Sequence, residues 1–219
     1  MGKLESPRWE AVSPQTRKLL EVLGTLAILH PFYLAGGTAL ALRLGHRISQ
    51  DLDLFANIET LNGDLRHQIV LALQSHTLTI HQDSNLGLVL EVDGVAASFF
   101  SYGYPLLAPT ESVVGVEIAS LADIGLMKLD AIAGRGMRKD FYDIYAIAQH
   151  ISLDDLFTHI DAKYPHSRTF PMRTLTALTD FDIANQQEEP TTLAPISWSE
   201  VKRFCQAEAR RLGKFWFVE

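Results

Sequence analysis

Residues 32–55 read FYLAGGTALALRLGHRISQDLDLF, with a double glycine and two aspartates about one helix-length apart. Asp51 and Asp53 alternate with Leu52 and Leu54, the period-two pattern of a strand with both carboxylates on one face and both leucines on the other. Aspartate is depleted in strands, and two on one face repel each other unless something positive lies between them. Paired carboxylates suit Mg²⁺, a hard ion that takes one or two protein oxygens and completes its shell with water and phosphate. Gly36 and Gly37 precede Thr38, between a short apolar strand and a helix. Backbone N–H groups there can approach an anion, and the helix N-terminus adds partial positive charge. Each half alone has a plainer reading, a tight turn or an ordinary acidic strand. Their conjunction suits a Mg²⁺-bound nucleoside triphosphate.

A second set comprises Lys128, Arg135, Lys139, Asp140 and Asp143. Lys128 and Arg135 are seven apart and share a face of one helix, while Asp140 and Asp143, three apart, are helix-surface neighbours. A lysine aimed at phosphate, with an aspartate to orient it or take a proton, would complete a phosphoryl-transfer site. The plainer alternative is a solvated, salt-bridged helix face. No two of the eight histidines have the i,i+4 spacing of a helical zinc site. Cys205 reads as packing, and Phe99-Phe100-Ser-Tyr102-Gly-Tyr104 as core and hairpin packing. Phe215-Trp216-Phe217 reads as a clasp on the domain or a partner contact.

These residues need elements to hold them. Ser13-Pro14 opens a helix with leucines at 19, 20 and 23. Residues 32–34 form a buried strand, 38–44 a short helix closed by Gly45, and 51–55 the second strand. A surface helix follows over 63–75, then strands at 78–81, 86–92 and 95–102, the last two joined by the hairpin pair Asp93-Gly94. Residues 113–118 add an edge strand. Beyond residue 119 the pattern is helical. Ser120 to Asp123 caps a helix that ends near Ala133, where Gly134 and Gly136 break it. Further helices run over 138–150, from Ser152, and from the capping box Ser197-Trp-Ser-Glu200 to about Leu212. Residues 179–196 read as a surface loop. The fold class is α+β: a core over 1–119, then a helical region over 120–219 packed on it.

The 219 residues are 47% hydrophobic and 21% charged, the balance of an ordinary globular protein, with a net charge of −7. That charge lowers the expectation of tight non-specific nucleic-acid binding while leaving room for a local basic groove. One cysteine permits no internal disulfide and fits a reducing compartment. The start has no apolar leader, and no run reaches the length of a membrane span. A soluble, cytoplasmic protein is expected, without membrane association.

GGTALALRLGHRISQDLDLF and LADIGLMKLDAIAGRGMRKDFYDIYAI together resemble the two sequence blocks of the nucleotidyltransferase AbiEii/AbiGii toxin family, in the DNA polymerase-β-like nucleotidyltransferase superfamily. The intervening hairpin, ending in FFSYGYPLL, is similar to its compact, short-chain branch. The resemblance implies a nucleotidyltransferase-like mixed β-sheet with flanking helices and a helical appendage. It implies transfer of a nucleotidyl group from a nucleoside triphosphate, with Mg²⁺, to a hydroxyl of RNA (a tRNA end) or of a protein, and a separately encoded antitoxin. Carried over by position, Gly36, Gly37 and Thr38 hold the triphosphate, Asp51 and Asp53 bind metal, and Lys128 contacts phosphate. Arg47 and Ser49 position the acid-bearing strand or the triphosphate, and the last acidic position falls on Asp140 or Asp143. One departure stands out. The superfamily's third acid, on a neighbouring strand, aligns with Ser98, which cannot act as a base at neutral pH. Either Asp140 or Asp143 then supplies the missing carboxylate, or, as the alternative, the protein is a nucleotide-binding module of the same fold with little or no turnover.

Overall fold

The computed structural model describes residues 2–217, the last of them by its backbone alone. The chain divides into two compact units, Met1–Ser120 and Leu121–Glu219.

The first unit is built on eight strands: β1 (Gly2–Lys3), β2 (Phe32–Ala35), β3 (Leu52–Ala56), β4 (Leu78–Ser84), β5 (Gly87–Val92), β6 (Val95–Ser101), β7 (Glu111–Val113) and β8 (Val116–Ile118). They form one mixed sheet in the order β1-β7-β8-β2-β3-β6-β5-β4. β3 runs antiparallel to β2 and parallel to β6, while β2 pairs with β8 in parallel. The helices are α1 (Pro14–Leu23), α2 (Gly36–Leu44) and α3 (Gly63–Ala72). Ser13 caps α1 by accepting from the Thr16 N–H at 3.0 Å, with Pro14 at the first helical position, and Leu19, Leu20 and Leu23 are buried. Gly45, at φ +63°, closes α2 in the left-handed conformation that a side chain disfavours. In β3 the alternation is explicit: Leu52, Leu54 and Ala56 are buried, while Asp53 and Phe55 on the other face are half-exposed.

Asp93 and Gly94 both have positive φ (+49° and +82°), the primed turn expected between β5 and β6. The aromatic run divides by strand parity. Phe99 is in the core, edge-on to Phe32 at 5.7 Å, whereas Phe100 and Tyr102 lie on the other face, each with its ring centre 5.4 Å from that of Phe55.

Residues 113–118 do not form an edge strand. They contribute to the hairpin of β7 and β8, and β8 lies inside the sheet between β7 and β2. A three-residue strand is too short to show a period, and its parallel partner is some eighty residues upstream. The hairpin turns through Val114 (φ +44°) and Gly115 (φ +88°). A β-branched residue is strained there, because its Cβ crowds the following carbonyl. Val114→Asn should therefore raise stability by about 1 kcal/mol, read as a higher denaturant midpoint with an unchanged slope.

The second unit holds α4 (Leu121–Arg135), α5 (Arg138–Ile147), α6 (Leu153–Thr158), α7 (Ile160–Lys163), α8 (Phe170–Ala177), α9 (Asp182–Asn185) and α10 (Trp198–Phe217). Gly134 does not break α4. The helix continues through it and stops at Gly136 (φ +56°), whose N–H reaches Ile132 O at 3.0 Å. The segment 179–196 is more than a surface loop: it carries α9, and Arg138 donates to Ala184 O (2.7 Å) and Asn185 O (3.0 Å). Ser152 and Ser197 cap α6 and α10 as their sequences predict, accepting from Asp155 N and Glu200 N. α10 runs five residues beyond Leu212, burying Val201, Cys205, Ala209 and Leu212 along one face. Burial pushes the Cys205 thiol up to about 12, so it is an inert packing group. Trp216 packs on Phe157 at 6.1 Å whereas Phe215 is 73% exposed; the side chain of Phe217 lies outside the described residues. No described helix is long and apolar enough to cross a membrane.

Candidate functional site

In the first unit, β2, α2 and β3 assemble the first set of residues. β2 ends at Ala35, which pairs in register with Asp53. The chain then turns through Gly36 at φ +67° into α2, whose N-terminus no side chain caps. A Cβ on Gly36 would lie 2.5 Å from Asp53 Oδ2, so glycine is required both by the backbone conformation and by the carboxylate against it. A Cβ on Gly37 would lie 2.6 Å from an Arg47 guanidinium nitrogen and 2.9 Å from Ser49 Oγ. The double glycine thus lets the N-terminus of α2 touch an anion on one side and a cation on the other.

Thr38 fastens the helix to the acid-bearing segment. Its hydroxyl is hydrogen-bonded to the Asp51 carbonyl and lies 2.9 Å from Ser49 Oγ. A carbonyl only accepts, so the Thr38 proton goes to Asp51 and the Ser49 hydroxyl donates to Thr38. Ser49 is itself tied down, its N–H donating to Ala11 O at 2.9 Å. Arg47 is buried and donates to Ile48 O at 3.1 Å. Asp51 is exposed at the entry to β3, and Asp53 is half-exposed inside it. Register places Ser98 of β6 directly beside Asp53.

The donor set suits Mg²⁺. Two hard carboxylate oxygens two residues apart, next to an uncapped helix N-terminus, leave the remaining positions to water and phosphate. Among the described residues no group of three or more His, Cys, Asp and Glu forms a complete metal cage. Gly36→Ala should cost about 1–2 kcal/mol from its left-handed backbone, and more from the contact with Asp53. A thermal melt beside a Mg²⁺–nucleotide titration would show both losses together.

Within the second unit Lys128, Asp140 and Asp143 of the second set come together, buried rather than solvated. Lys128 on α4 reaches Asp140 Oδ1 at 2.9 Å and Asp143 Oδ2 at 2.6 Å, both carboxylates being on α5 and fully buried. Arg135 adds a two-pronged contact to Asp140, at 2.9 and 3.0 Å. Two buried anions thus face one buried cation and one partly exposed cation. Lys139 is half-exposed on the same helix.

Burial by itself would raise the Asp140 carboxyl; the Lys128 ammonium and the Arg135 guanidinium override it and hold the group below its ordinary value of 3.8. A carboxyl depressed by folding contributes stability that is complete above its unfolded value and lost as pH falls through its folded one. Stability should therefore drop with acid below about pH 4, and Asp140→Asn should flatten that acid limb in a pH series of denaturant midpoints.

Register could not be read from the sequence, so the contact of Gly36 with Asp53 was not foreseen; the strand–glycine–helix pattern was its only trace. The pairing of Lys128 with both aspartates was open in the same way, since spacing gives a shared face but not which helix faces which.

MenT4, a nucleotidyltransferase toxin of Mycobacterium tuberculosis, matches with a TM-score of 0.55 over 90% of this chain and 83% of its own, at 16% identity. JHP933 of Helicobacter pylori matches with a TM-score of 0.53 over 93% and 96%, at 20% identity. At such identities the likeness is one of fold. Residues 18–210 match the model of the nucleotidyl transferase AbiEii toxin, type IV toxin–antitoxin system, and the chain belongs to that family. An uncharacterised protein of Aquifex aeolicus is 41% identical over 133 residues, 60% of this chain, and the match spans 64% of that relative's length.

Proposed function

We propose that the protein transfers a nucleotidyl group from a nucleoside triphosphate to a hydroxyl of RNA, such as a tRNA end, or of a protein, as the toxin of a toxin–antitoxin pair acting in the cytoplasm. The observation that carries this is the approach of Gly36 to Asp53 and of Gly37 to Arg47 and Ser49. It sets the uncapped N–H groups of α2 beside the Asp53 carboxylate, so that phosphate and its counter-ion have adjoining places. Asp51 and Asp53 would hold Mg²⁺, which supplies neutralisation of phosphate charge when bound. Gly36, Gly37 and Thr38 hold the triphosphate, and Arg47 and Ser49 keep the glycine turn and acid strand in register, while Lys128, gripped by Asp140 and Asp143, belongs to the buried ion cluster of the helical unit. The acceptor oxygen forms its bond to the α-phosphorus as the bond to pyrophosphate breaks. A separately encoded antitoxin is the partner this reading implies.

Ser98 favours a second reading, a nucleotide-binding module with little turnover. It stands beside Asp53, where a third carboxylate would take the acceptor's proton. Asp140, paired and held below the ordinary carboxyl range, is a poor substitute base. Calorimetric titration of each ribonucleoside triphosphate with Mg²⁺, followed by incubation of the labelled preferred nucleotide with RNA and protein acceptors, separates the two. Binding with label transfer supports the enzyme, and binding without transfer supports the module. No metal-dependent binding to the wild type overturns both.

A further inference from the structure

α10 carries charge of the opposite sign to the whole chain. It contains five basic residues (Lys202, Arg203, Arg210, Arg211 and Lys214) against two acidic ones, in a protein of net charge −7. Both acids are engaged: Glu200 accepts from the Tyr145 hydroxyl at 2.6 Å, and Glu208 pairs with Arg211 at 2.7 Å. Arg203, Arg210 and Lys214 are exposed, and none of the three pairs with a carboxylate among the described residues. At 100° per residue they fall within about 40° of arc, opposite the buried face of Val201, Cys205, Ala209 and Leu212.

Arg210 and Lys214, with Ala207, Arg211 and Phe215, line an open depression of about 530 Å³. Phe215 is the most exposed of the large apolar side chains described, at 73%. Three aligned cations beside an outward aromatic ring match a polyanion whose flat bases can stack, and an acidic protein surface would leave the ring without that partner.

We propose that this face of α10 docks the phosphate backbone of the acceptor RNA, with Phe215 stacking on an unpaired base. The inference rests on the nucleotidyl-transfer reading and narrows its acceptor to RNA. From Arg203 to Lys214 the stripe spans about 16 Å at ~1.5 Å per residue, which covers roughly five phosphates at ~3.4 Å per strand. The rest of the chain is net negative, which disfavours non-specific docking elsewhere.

The test measures binding of the full-length protein to a labelled, mixed-sequence RNA stem-loop across a salt series. Wild type is compared with the triple variant Arg203→Ala, Arg210→Ala, Lys214→Ala and with Phe215→Ala. The triple variant should bind at least tenfold more weakly at low salt, with the slope of log affinity against log salt reduced by about 2, since each phosphate contact contributes ~0.7 on single strands. Phe215→Ala should weaken binding with the slope unchanged. Absence of RNA binding by the wild type, an unaltered slope in the triple variant, or equal binding of polyglutamate would each overturn the docking proposal. Alanine is favourable on an exposed helix face, so the fold should survive. Mg²⁺–nucleotide binding, measured in the same samples, should be equal in wild type and triple variant. Its absence from the wild type would defeat the nucleotidyl-transfer reading, while the salt series reports on docking separately.

Discussion

Alanine at position 53 should remove metal-dependent nucleotide binding and leave the fold standing. Asp53 is half-exposed on a strand whose opposite face, Leu52 and Leu54, supplies the burial, so alanine at 53 leaves that buried face intact. Stability should shift by no more than about 1 kcal/mol, because a half-exposed side chain is removed and no core cavity is opened. Affinity for a Mg²⁺–nucleotide should fall on the order of 10²-fold or more, the scale on which even the outer partners of metal sites act. Asp51→Ala is the companion case. Thr38 is bonded to the Asp51 main-chain carbonyl, which alanine keeps, so this substitution removes the carboxylate and leaves the helix fastened. Titration calorimetry and a thermal melt on the same samples decide the matter. Undiminished binding in either variant would mean that the acids serve something other than metal and phosphate.

Asp140→Ala should have the opposite signature, a large loss of stability. Removing one member of a buried ion cluster leaves the Lys128 ammonium buried with half its carboxylate contacts, a penalty of about 3–5 kcal/mol. For a unit of roughly a hundred residues that corresponds to a fall of about 15 °C or more in melting temperature. Arg135→Ala should cost far less, because that side chain is 52% exposed and water replaces its contact. Replacing Lys128, Asp140 and Asp143 together by Met and two Leu should recover much of the loss, since an apolar cluster of similar volume avoids the desolvation of all three charges. Equal melting temperatures for Asp140→Ala and Arg135→Ala would show that the buried cluster does not hold α4 to α5.

The sequence was legible where local chemistry decides the structure. Ser13-Pro14, Gly45, Asp93-Gly94, Ser152 and Ser197 each fix a cap or a turn from within a few residues, and the leucine–aspartate alternation displays β3 directly. Features that depend on distant partners were not legible. β1 is two residues long and exists through its pairing with β7, and β8 lies inside the sheet because β2 accepts it. The helices over 160–163, 170–177 and 182–185 are short and weakly periodic, held by packing such as Phe141 against Phe181. In the candidate site, residue types and spacing marked the glycines and acids. Burial of the lysine–aspartate cluster, and the close approach of glycine to acid, follow from packing that no single stretch encodes.

The interior position of β8 bears on the order in which the chain folds. β2 and β3 are close in sequence, as are β4, β5 and β6, so their antiparallel pairings close short loops and form early. The seam between β2 and β8 joins Leu34 to Ile118, and its long loop makes it slow to close. During synthesis, the edge of β2 stays open until residue 118 has left the ribosome, after the glycine turn and both aspartates have already emerged. A chain halted before that point would carry the glycine turn and both aspartates on an unfinished sheet with an unpaired central edge, and such edges invite aggregation.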